Sequence, residues 1–197
     1  MGVALVFPGQ GSQAVGMGED LRRWSTAAEA VFALADEATG LPLRAVCANG
    51  PEDTLTDTAY AQPAVVAHSL AALAALQEAL ATAGAPLRPI FCAGHSAGEL
   101  AALAAAGFLD TSSVLHLVAR RAALMAEVCR SMDGTMAAIL GLDEGTVRTL
   151  CDEASGATGE WVQIANLNAP GQIVVSGHRL AVDAAGQLAR QRGARRV

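Results

Sequence analysis

Residues 90–100 read "IFCAGHSAGEL": an apolar run, then a serine inside the motif G-x-S-x-G, then a stretch of helical composition. A strand, this motif and a helix in succession are typical of a nucleophile elbow, a sharp turn that exposes a reactive serine. Gly94 and Gly98 leave room for a strained, exposed turn at Ser96, and the helix beginning near Ala97 points free N–H groups at the turn. The pattern predicts a catalytic Ser96. A chance match is the alternative, since 20 of the 197 residues are glycine.

A second glycine loop, "FPGQGSQAVGMG", follows the apolar run "VALVF" at residues 3–7. Parallel α/β sheets bring the loops at the carboxyl ends of their strands together, so we expect this loop beside the serine turn. Backbone N–H groups near Gln10 and at Ala97 would then form an oxyanion hole. An ordinary tight turn is the alternative. A phosphate loop is disfavoured because no G-K-[S/T] follows the glycines.

An arginine follows an apolar stripe on the predicted helix from residue 112. The stripe consists of Val114, Leu117, Val118 and Met125, which recur at helical spacing. Arg121 falls on the same face, whereas Arg120 points elsewhere and is expected in solvent. A guanidinium directed inward needs an anion. That anion is either a structural carboxylate or the carboxylate of a substrate, and the residues alone leave both open.

Composition narrows the class of protein. The chain is 52% hydrophobic and 16% charged, enough for a substantial core, and its net charge of −6 argues against a nucleic-acid partner. The four cysteines are scattered without a C-x-x-C pair, so we expect neither a metal site nor a disulfide framework. Apolar stretches are interrupted by Gly, Pro or charge, so no membrane span is expected. We expect a cytoplasmic protein.

The pattern changes after Gly134. From there "TMAAILGL", a helical stretch, "WVQIAN", "QIVVSG" and a last helix give the order β-α-β-β-α. These are five of the six elements of a ferredoxin-like unit, and the sixth strand would begin at residues 195–197. We therefore predict a parallel-sheet α/β subdomain over residues 1–131 and a ferredoxin-like α+β subdomain over 132–197 with its last strand truncated.

Six segments together resemble one family. They are "FPGQGSQ", "AQPAV", "GHSAGEL", "LVARRAALM", "GTMAAILGL" and "NLNAPGQIVVSG". In order and spacing they are similar to the malonyl-CoA:acyl-carrier-protein transacylase family, which includes the acyltransferase domains of fatty-acid and polyketide synthases. The resemblance implies an α/β-hydrolase-like subdomain, incomplete at its C-terminus, with the ferredoxin-like subdomain inserted. It also implies a ping-pong reaction without a cofactor, in which a serine takes a malonyl group from malonyl-CoA and passes it to acyl carrier protein.

The resemblance also assigns roles to individual residues. The family's nucleophilic serine corresponds to Ser96, and the glutamine of its glycine loop corresponds to Gln10, which joins Ala97 in the oxyanion hole. The family arginine that binds the malonyl carboxylate corresponds to Arg121, which favours the substrate as its partner. His95 and Asn166 are further expected substrate-binding residues. For Asn166, ordinary turn chemistry is the alternative, since asparagine suits turns.

The family's general-base histidine marks a departure, because it follows the ferredoxin-like insert in a segment beyond these 197 residues. None of the four histidines, His68, His95, His116 and His178, is expected to serve as the base. We expect a missing C-terminal segment or a second chain to supply it. The alternatives are a catalytically incomplete fragment that binds acyl groups or carrier protein, and a serine ester hydrolase, whose chemistry gives Arg121 no role.

Overall fold

The computed structural model describes residues 2–197, which form two compact units, residues 2–126 and residues 127–197. The elements are β1 (Val3–Phe7), α1 (Glu19–Trp24), α2 (Thr26–Thr39), α3 (Leu43–Asn49), α4 (Glu52–Thr56), α5 (Thr58–Thr82), β2 (Pro89–Gly94), α6 (Gly98–Ala105), α7 (Thr111–Ser131), β3 (Gly134–Leu140), α8 (Glu144–Thr158), β4 (Val162–Ala169), β5 (Gln172–His178) and α9 (Arg179–Gln191). Along the chain, the boundary between the two units lies within α7, whereas the sequence analysis predicts it at the end of that helix. The predicted mixed α/β class, with one parallel and one antiparallel sheet, is confirmed.

The first unit contains a parallel pair of strands, β1 and β2. Their register runs from Val3 opposite Pro89 to Phe7 opposite Gly94, so both strands end at the same edge. The His95 N–H continues the pairing by donating to the Phe7 carbonyl at 3.0 Å. The chain segments that follow β1 and β2 therefore start side by side, as parallel pairing requires.

Helix α5 forms the centre of the first unit. It begins where the Asp57 carboxylate accepts from the Ala59 N–H at 2.8 Å, and it packs against the other core helices. By length and composition α5 could cross a membrane, contrary to the expectation that every apolar stretch is interrupted, but half of its most apolar window is buried within the protein. Its apolar character is that of a core helix. The short helices α3 and α4, between α2 and α5, were not predicted from the sequence.

Helix α7 turns a different face to the core than the sequence pattern indicated. Its buried residues are Val114, Leu115, Val118, Ala122 and Ala126. The prediction that Leu117 faces the core is wrong, since 48% of that residue is exposed. Leucine and alanine occur all around this helix, so the apolar pattern was compatible with more than one inward face. Arg121 lies at the border of the buried face, and Arg120 is exposed as predicted.

The second unit is a three-stranded antiparallel sheet in the order β3-β5-β4, packed against α8 and α9 around its own core. The predicted sixth strand begins as expected. Arg196 forms an antiparallel bridge with Leu140 of β3, and the Leu140 N–H donates to the Arg196 carbonyl at 2.9 Å. Adding this bridge beside β3 gives the strand order of a ferredoxin-like unit.

The hairpin between β4 and β5 corrects one alternative reading of Asn166. The turn consists of Pro170 and Gly171, and Gly171 has a φ of 73°, which suits glycine at the third position of a type II turn. Asn166 lies within β4 opposite Val174, beside an irregularity in the pairing. It is therefore a strand residue, and turn chemistry does not explain it.

Candidate active site

The serine turn has the strained geometry that the motif predicts. Ser96 joins the end of β2 to the start of α6, is exposed, and has a φ of 53°. A positive φ is costly for a residue with a side chain and persists only where the surrounding structure enforces it. The turn thus holds the Ser96 hydroxyl out of the sheet, where a substrate can reach it.

Backbone packing explains both glycines of the motif. A Cβ atom on Gly94 would lie 2.1 Å from the Gly98 carbonyl group, and one on Gly98 would lie 2.4 Å from the Pro8 carbonyl oxygen and 2.5 Å from that of Phe7. These neighbours are backbone atoms, which cannot rotate away as a side chain can. Glycine is therefore required at both positions for the turn to approach the end of β1 closely.

The loop after β1 lies directly beside the serine turn, as the parallel arrangement predicts. A Cβ atom on Gly9 would be 2.6 Å from the His95 carbonyl oxygen. The loop is ordered by its own hydrogen bonds, since the Ser12 hydroxyl donates to the Gly9 carbonyl at 2.7 Å and the Gly11 N–H donates to the Gln13 side chain at 2.8 Å. Gln10 is exposed in this loop, adjacent to the serine turn.

The first turn of α6 leads away from the serine. The N–H groups of Gly98, Glu99 and Leu100 donate back to the carbonyls of residues 95, 96 and 97 at 2.9–3.1 Å. These bonds do not use the Ala97 N–H, and the Ala97 side chain is fully buried beneath the turn. Gln10 and Ala97 belong to two loops that lie in close contact, and their assignment to an oxyanion hole stays a prediction.

Arg121 of α7 reaches the serine turn. Its Nη2 donates to the Ser96 hydroxyl oxygen at 3.1 Å, and its Nη1 donates to the side-chain oxygen of Gln62 on α5. Within residues 2–197 no carboxylate forms an ion pair with Arg121. Of the two partners that the sequence left open, the structural carboxylate is therefore not found in the described part of the chain. A permanent positive charge with neutral partners lies against the serine hydroxyl.

The histidines occupy different environments. His68 of α5 lines an apolar cavity of about 320 Å³ with β1 residues, burial lowers its pKa, and its Nδ1 has no hydrogen-bond partner among the described residues. His116 is exposed on α7. In the second unit the Nδ1 of His178 accepts from the Leu180 N–H at 3.3 Å and caps α9. His95 adjoins Ser96 in the turn. The expectation that none of the four acts as the base stays a prediction.

Asn166 belongs to the second unit, half-buried on β4. Its assignment to the substrate site also stays a prediction.

Sequence reasoning missed two residues of the site, Thr58 and Gln62. The Thr58 hydroxyl donates to the side-chain oxygen of Gln10 at 2.9 Å, and Gln62 holds Arg121 although it is itself fully buried. The available signal was a glutamine on the apolar face of a core helix, since a buried amide needs polar partners. Its partner could not be identified from the local pattern.

Comparison with known proteins agrees with this geometry. Residues 4–197 match the family described as the acyl transferase domain. The chain belongs to the acyl transferase domain family. Two curated relatives are named malonyl CoA-acyl carrier protein transacylase: one from Bacillus subtilis, 41% identical over 99% of this chain, and one from Escherichia coli K12, 40% identical over 98%. The chain spans only 59% and 60% of the lengths of these relatives.

Solved structures show the same relationship. A malonyl-CoA:acyl carrier protein transacylase from Xanthomonas oryzae has a TM-score of 0.86 and 41% identity, and the match covers 99% of this chain and 61% of that one. A malonyl-transacylase solved with its type II polyketide acyl-carrier protein has a TM-score of 0.86 and 38% identity, and the match covers 100% of this chain and 61% of that one. Both solved structures thus share the fold of this chain over nearly all of its length.

Proposed function

We propose that this chain carries the nucleophilic serine of a malonyl-CoA:acyl-carrier-protein transacylase. The single observation that carries the proposal is the Arg121 guanidinium, which donates to the Ser96 hydroxyl at 3.1 Å and has no carboxylate partner among residues 2–197. A substrate with a thioester carbonyl at the serine and a carboxylate nearby satisfies both groups, because guanidinium pairs with carboxylate bidentately. A malonyl thioester has this chemistry, and the names of the curated relatives support it.

The proposed reaction has two steps at Ser96. In the first, the serine oxygen attacks the thioester carbonyl of malonyl-CoA; a C–O bond forms, the C–S bond breaks, and coenzyme A leaves with a proton. In the second, the phosphopantetheine thiol of acyl carrier protein attacks the seryl ester and restores the hydroxyl. Negative charge develops on the carbonyl oxygen in both steps. Backbone N–H groups at Gln10 and Ala97 are the proposed donors to it.

The serine proton needs a base, and we infer that a histidine outside these 197 residues provides it. His68 lines the apolar cavity beside β1, where burial lowers the pKa of its ring and makes it a weaker base, and the Nδ1 of His178 is used to cap α9. His116 is exposed five positions before Arg121 and so lies on a different side of α7. The histidine would come from a following segment or from a second chain.

The test is covalent labelling of the full-length protein that contains these residues. Brief mixing with malonyl-CoA should add one malonyl group, and peptide mapping by mass spectrometry should place it on Ser96. Ser96→Ala should abolish the label. Equal labelling of Ser96→Ala would contradict the assignment.

A second arm of the same experiment addresses Arg121. Arg121→Ala should reduce labelling by malonyl-CoA far more than labelling by acetyl-CoA, because only the malonyl group carries a free carboxylate. The matched control is Arg120→Ala, which removes the exposed neighbouring arginine and should leave the ratio unchanged. Release of free malonate that is independent of carrier protein would instead indicate the serine hydrolase, and absence of any label would indicate a binding fragment.

A further inference from the structure

Helix α5 contacts two separate parts of the site through side chains one turn apart. Thr58, its first residue, bonds the side chain of Gln10, and Gln62 bonds Arg121. Residues four positions apart lie on the same face of a helix. We propose that Thr58 and Gln62 are positioning residues that set the loop of the oxyanion hole and the carboxylate-binding arginine in one fixed geometry. The inference rests on the proposed transacylase function for its meaning in catalysis.

Gln62 can hold Arg121 in only one way. The guanidinium has donors and no acceptor, so the amide must present its oxygen to it. The amide nitrogen then donates to the sulfur of Met125 at 3.3 Å, and Met125 lies one turn beyond Arg121 on α7. Gln62 is fully buried, so these contacts replace the water that the amide loses on folding. The arginine is therefore held from the core side while its other nitrogen faces Ser96.

The neutrality of Gln62 matters as much as its hydrogen bond. A glutamate at this position would supply the same acceptor oxygen and would also cancel the charge of the guanidinium. Glutamine fixes the direction of Arg121 and leaves its full positive charge for an incoming carboxylate. We therefore assign the preference for acidic acyl groups to the pair Gln62 and Arg121 rather than to the arginine alone.

Thr58 acts on the other end of the site. Its hydroxyl donates to the side-chain oxygen of Gln10, and the Asp57 carboxylate fixes the helix turn from which Thr58 projects. Gln10 lies in a loop that is otherwise held by its own short-range bonds. Losing the threonine hydroxyl should therefore loosen the loop without touching the carboxylate-binding arginine.

The two positioning roles predict different kinetic signatures in the full-length protein. Gln62→Met should lower kcat/KM for malonyl-CoA by about tenfold or more and leave acetyl-CoA within about twofold, because a hydrogen bond to a charged group is lost only at the carboxylate end. Gln62→Glu keeps an acceptor oxygen for Arg121, but its negative charge cancels the positive charge of the guanidinium. It should therefore also lose malonyl transfer, mainly through a raised KM. Thr58→Val should lower kcat for both acyl groups by a similar factor.

Matched controls lie on the same helix. Gln77→Met changes an exposed glutamine of α5, and Thr82→Val removes a hydroxyl that donates only to the Glu78 carbonyl. Both should keep the parent rates and the parent malonyl-to-acetyl ratio. Thermal melting of every variant separates misfolding from misplacement, and Gln62→Glu keeps a polar group at the buried position if Gln62→Met folds poorly.

A crystal structure of Gln62→Met decides the inference independently of activity. The Arg121 guanidinium should leave the serine, so that its distance to the Ser96 hydroxyl exceeds about 3.5 Å, the limit for a hydrogen bond. An unmoved Arg121, or an unchanged malonyl-to-acetyl ratio in both Gln62 variants, would overturn the positioning role. If the parent protein forms no seryl malonate, the proposed function fails, while the crystallographic comparison still decides whether Gln62 positions Arg121.

Discussion

At Gly98 the smallest possible side chain already collides with the main chain of β1. Gly98→Ala would place a Cβ atom 2.4 Å from the Pro8 oxygen and 2.5 Å from the Phe7 oxygen, so the serine turn must move away from the strand. We expect the free energy of unfolding, measured in urea, to fall by about 1–3 kcal/mol, as for other overpacked sites. Gly156→Ala is the control: it adds a methyl group to an exposed position of α8 with no neighbour within 4 Å. It should stabilise by about 0.5–1 kcal/mol, and equal losses in both variants would contradict the steric account.

Among the cysteines, Cys47 is expected not to react with alkylating reagents in the native protein. Burial raises the pKa of its thiol to about 12, so the thiolate that reacts with alkylating reagents is not formed at pH 8. Iodoacetamide should modify exposed Cys129 in the native protein and Cys47 only in denaturant, as read by peptide mass. Because the native thiol keeps a proton that the unfolded thiol releases near pH 9.0, this group's contribution to stability should be lost as the pH rises from 9.0 toward about 12. Native labelling of Cys47 at pH 8 would contradict this.

Between elements, Ser25 links the start of α2 to α5. Its hydroxyl accepts from the Ala28 N–H at 3.0 Å and donates to a Glu78 carboxylate oxygen at 2.6 Å. The hydrogen bonds that the Glu78 carboxylate accepts from the hydroxyls of Ser25 and Thr26 lower the pKa of Glu78. Ser25→Ala removes the cap and should cost about 1–2 kcal/mol in urea unfolding.

A suitable control for Ser25 is Thr56→Ala, because the Thr56 hydroxyl donates only to the Glu52 carbonyl of its own short helix. It should change the unfolding free energy by less than about 0.5 kcal/mol, as at most surface positions. A loss for Ser25→Ala that is no larger than this would mean that the cap contributes little to the packing of α2.

For the whole molecule, two separate hydrophobic cores predict that a core substitution destabilises only the unit that contains it. Leu115 is fully buried in the core of the first unit and Leu150 in that of the second. Each Leu→Ala change should destabilise by about 2–5 kcal/mol through the lost burial and the cavity left behind. Hydrogen exchange should show the faster amides of Leu150→Ala confined to residues 127–197, and those of Leu115→Ala to the first unit. Uniformly faster exchange throughout the chain in either variant would show one cooperative core instead.

Much of the fold could be predicted because its signals are local. Ser25 and Asp143 are N-cap residues that mark the start of a helix. Their side-chain oxygens accept hydrogen bonds from the N–H groups three residues later, at Ala28 and Thr146. The β-α-β-β-α order after Gly134 followed from the change of periodicity, and even the start of the next strand at Arg196 was read correctly. The inward face of α7 was misjudged, because apolar residues on all sides of a helix do not define which side another element covers.

The features of the candidate active site also fall into those that local sequence signals predict and those that only the tertiary structure shows. The sequence by itself determined the strand, the serine turn and the following helix, because glycine spacing and apolar runs act on neighbouring residues. It also placed Arg121 near the inward side of its helix. Only the tertiary structure decided that Gln62 holds Arg121 and that Thr58 holds Gln10, across separations of 59 and 48 residues. Such contacts depend on how α5 and α7 are packed and rotated against each other. That packing is set by the burial of the whole core, so the local sequence pattern does not predict it.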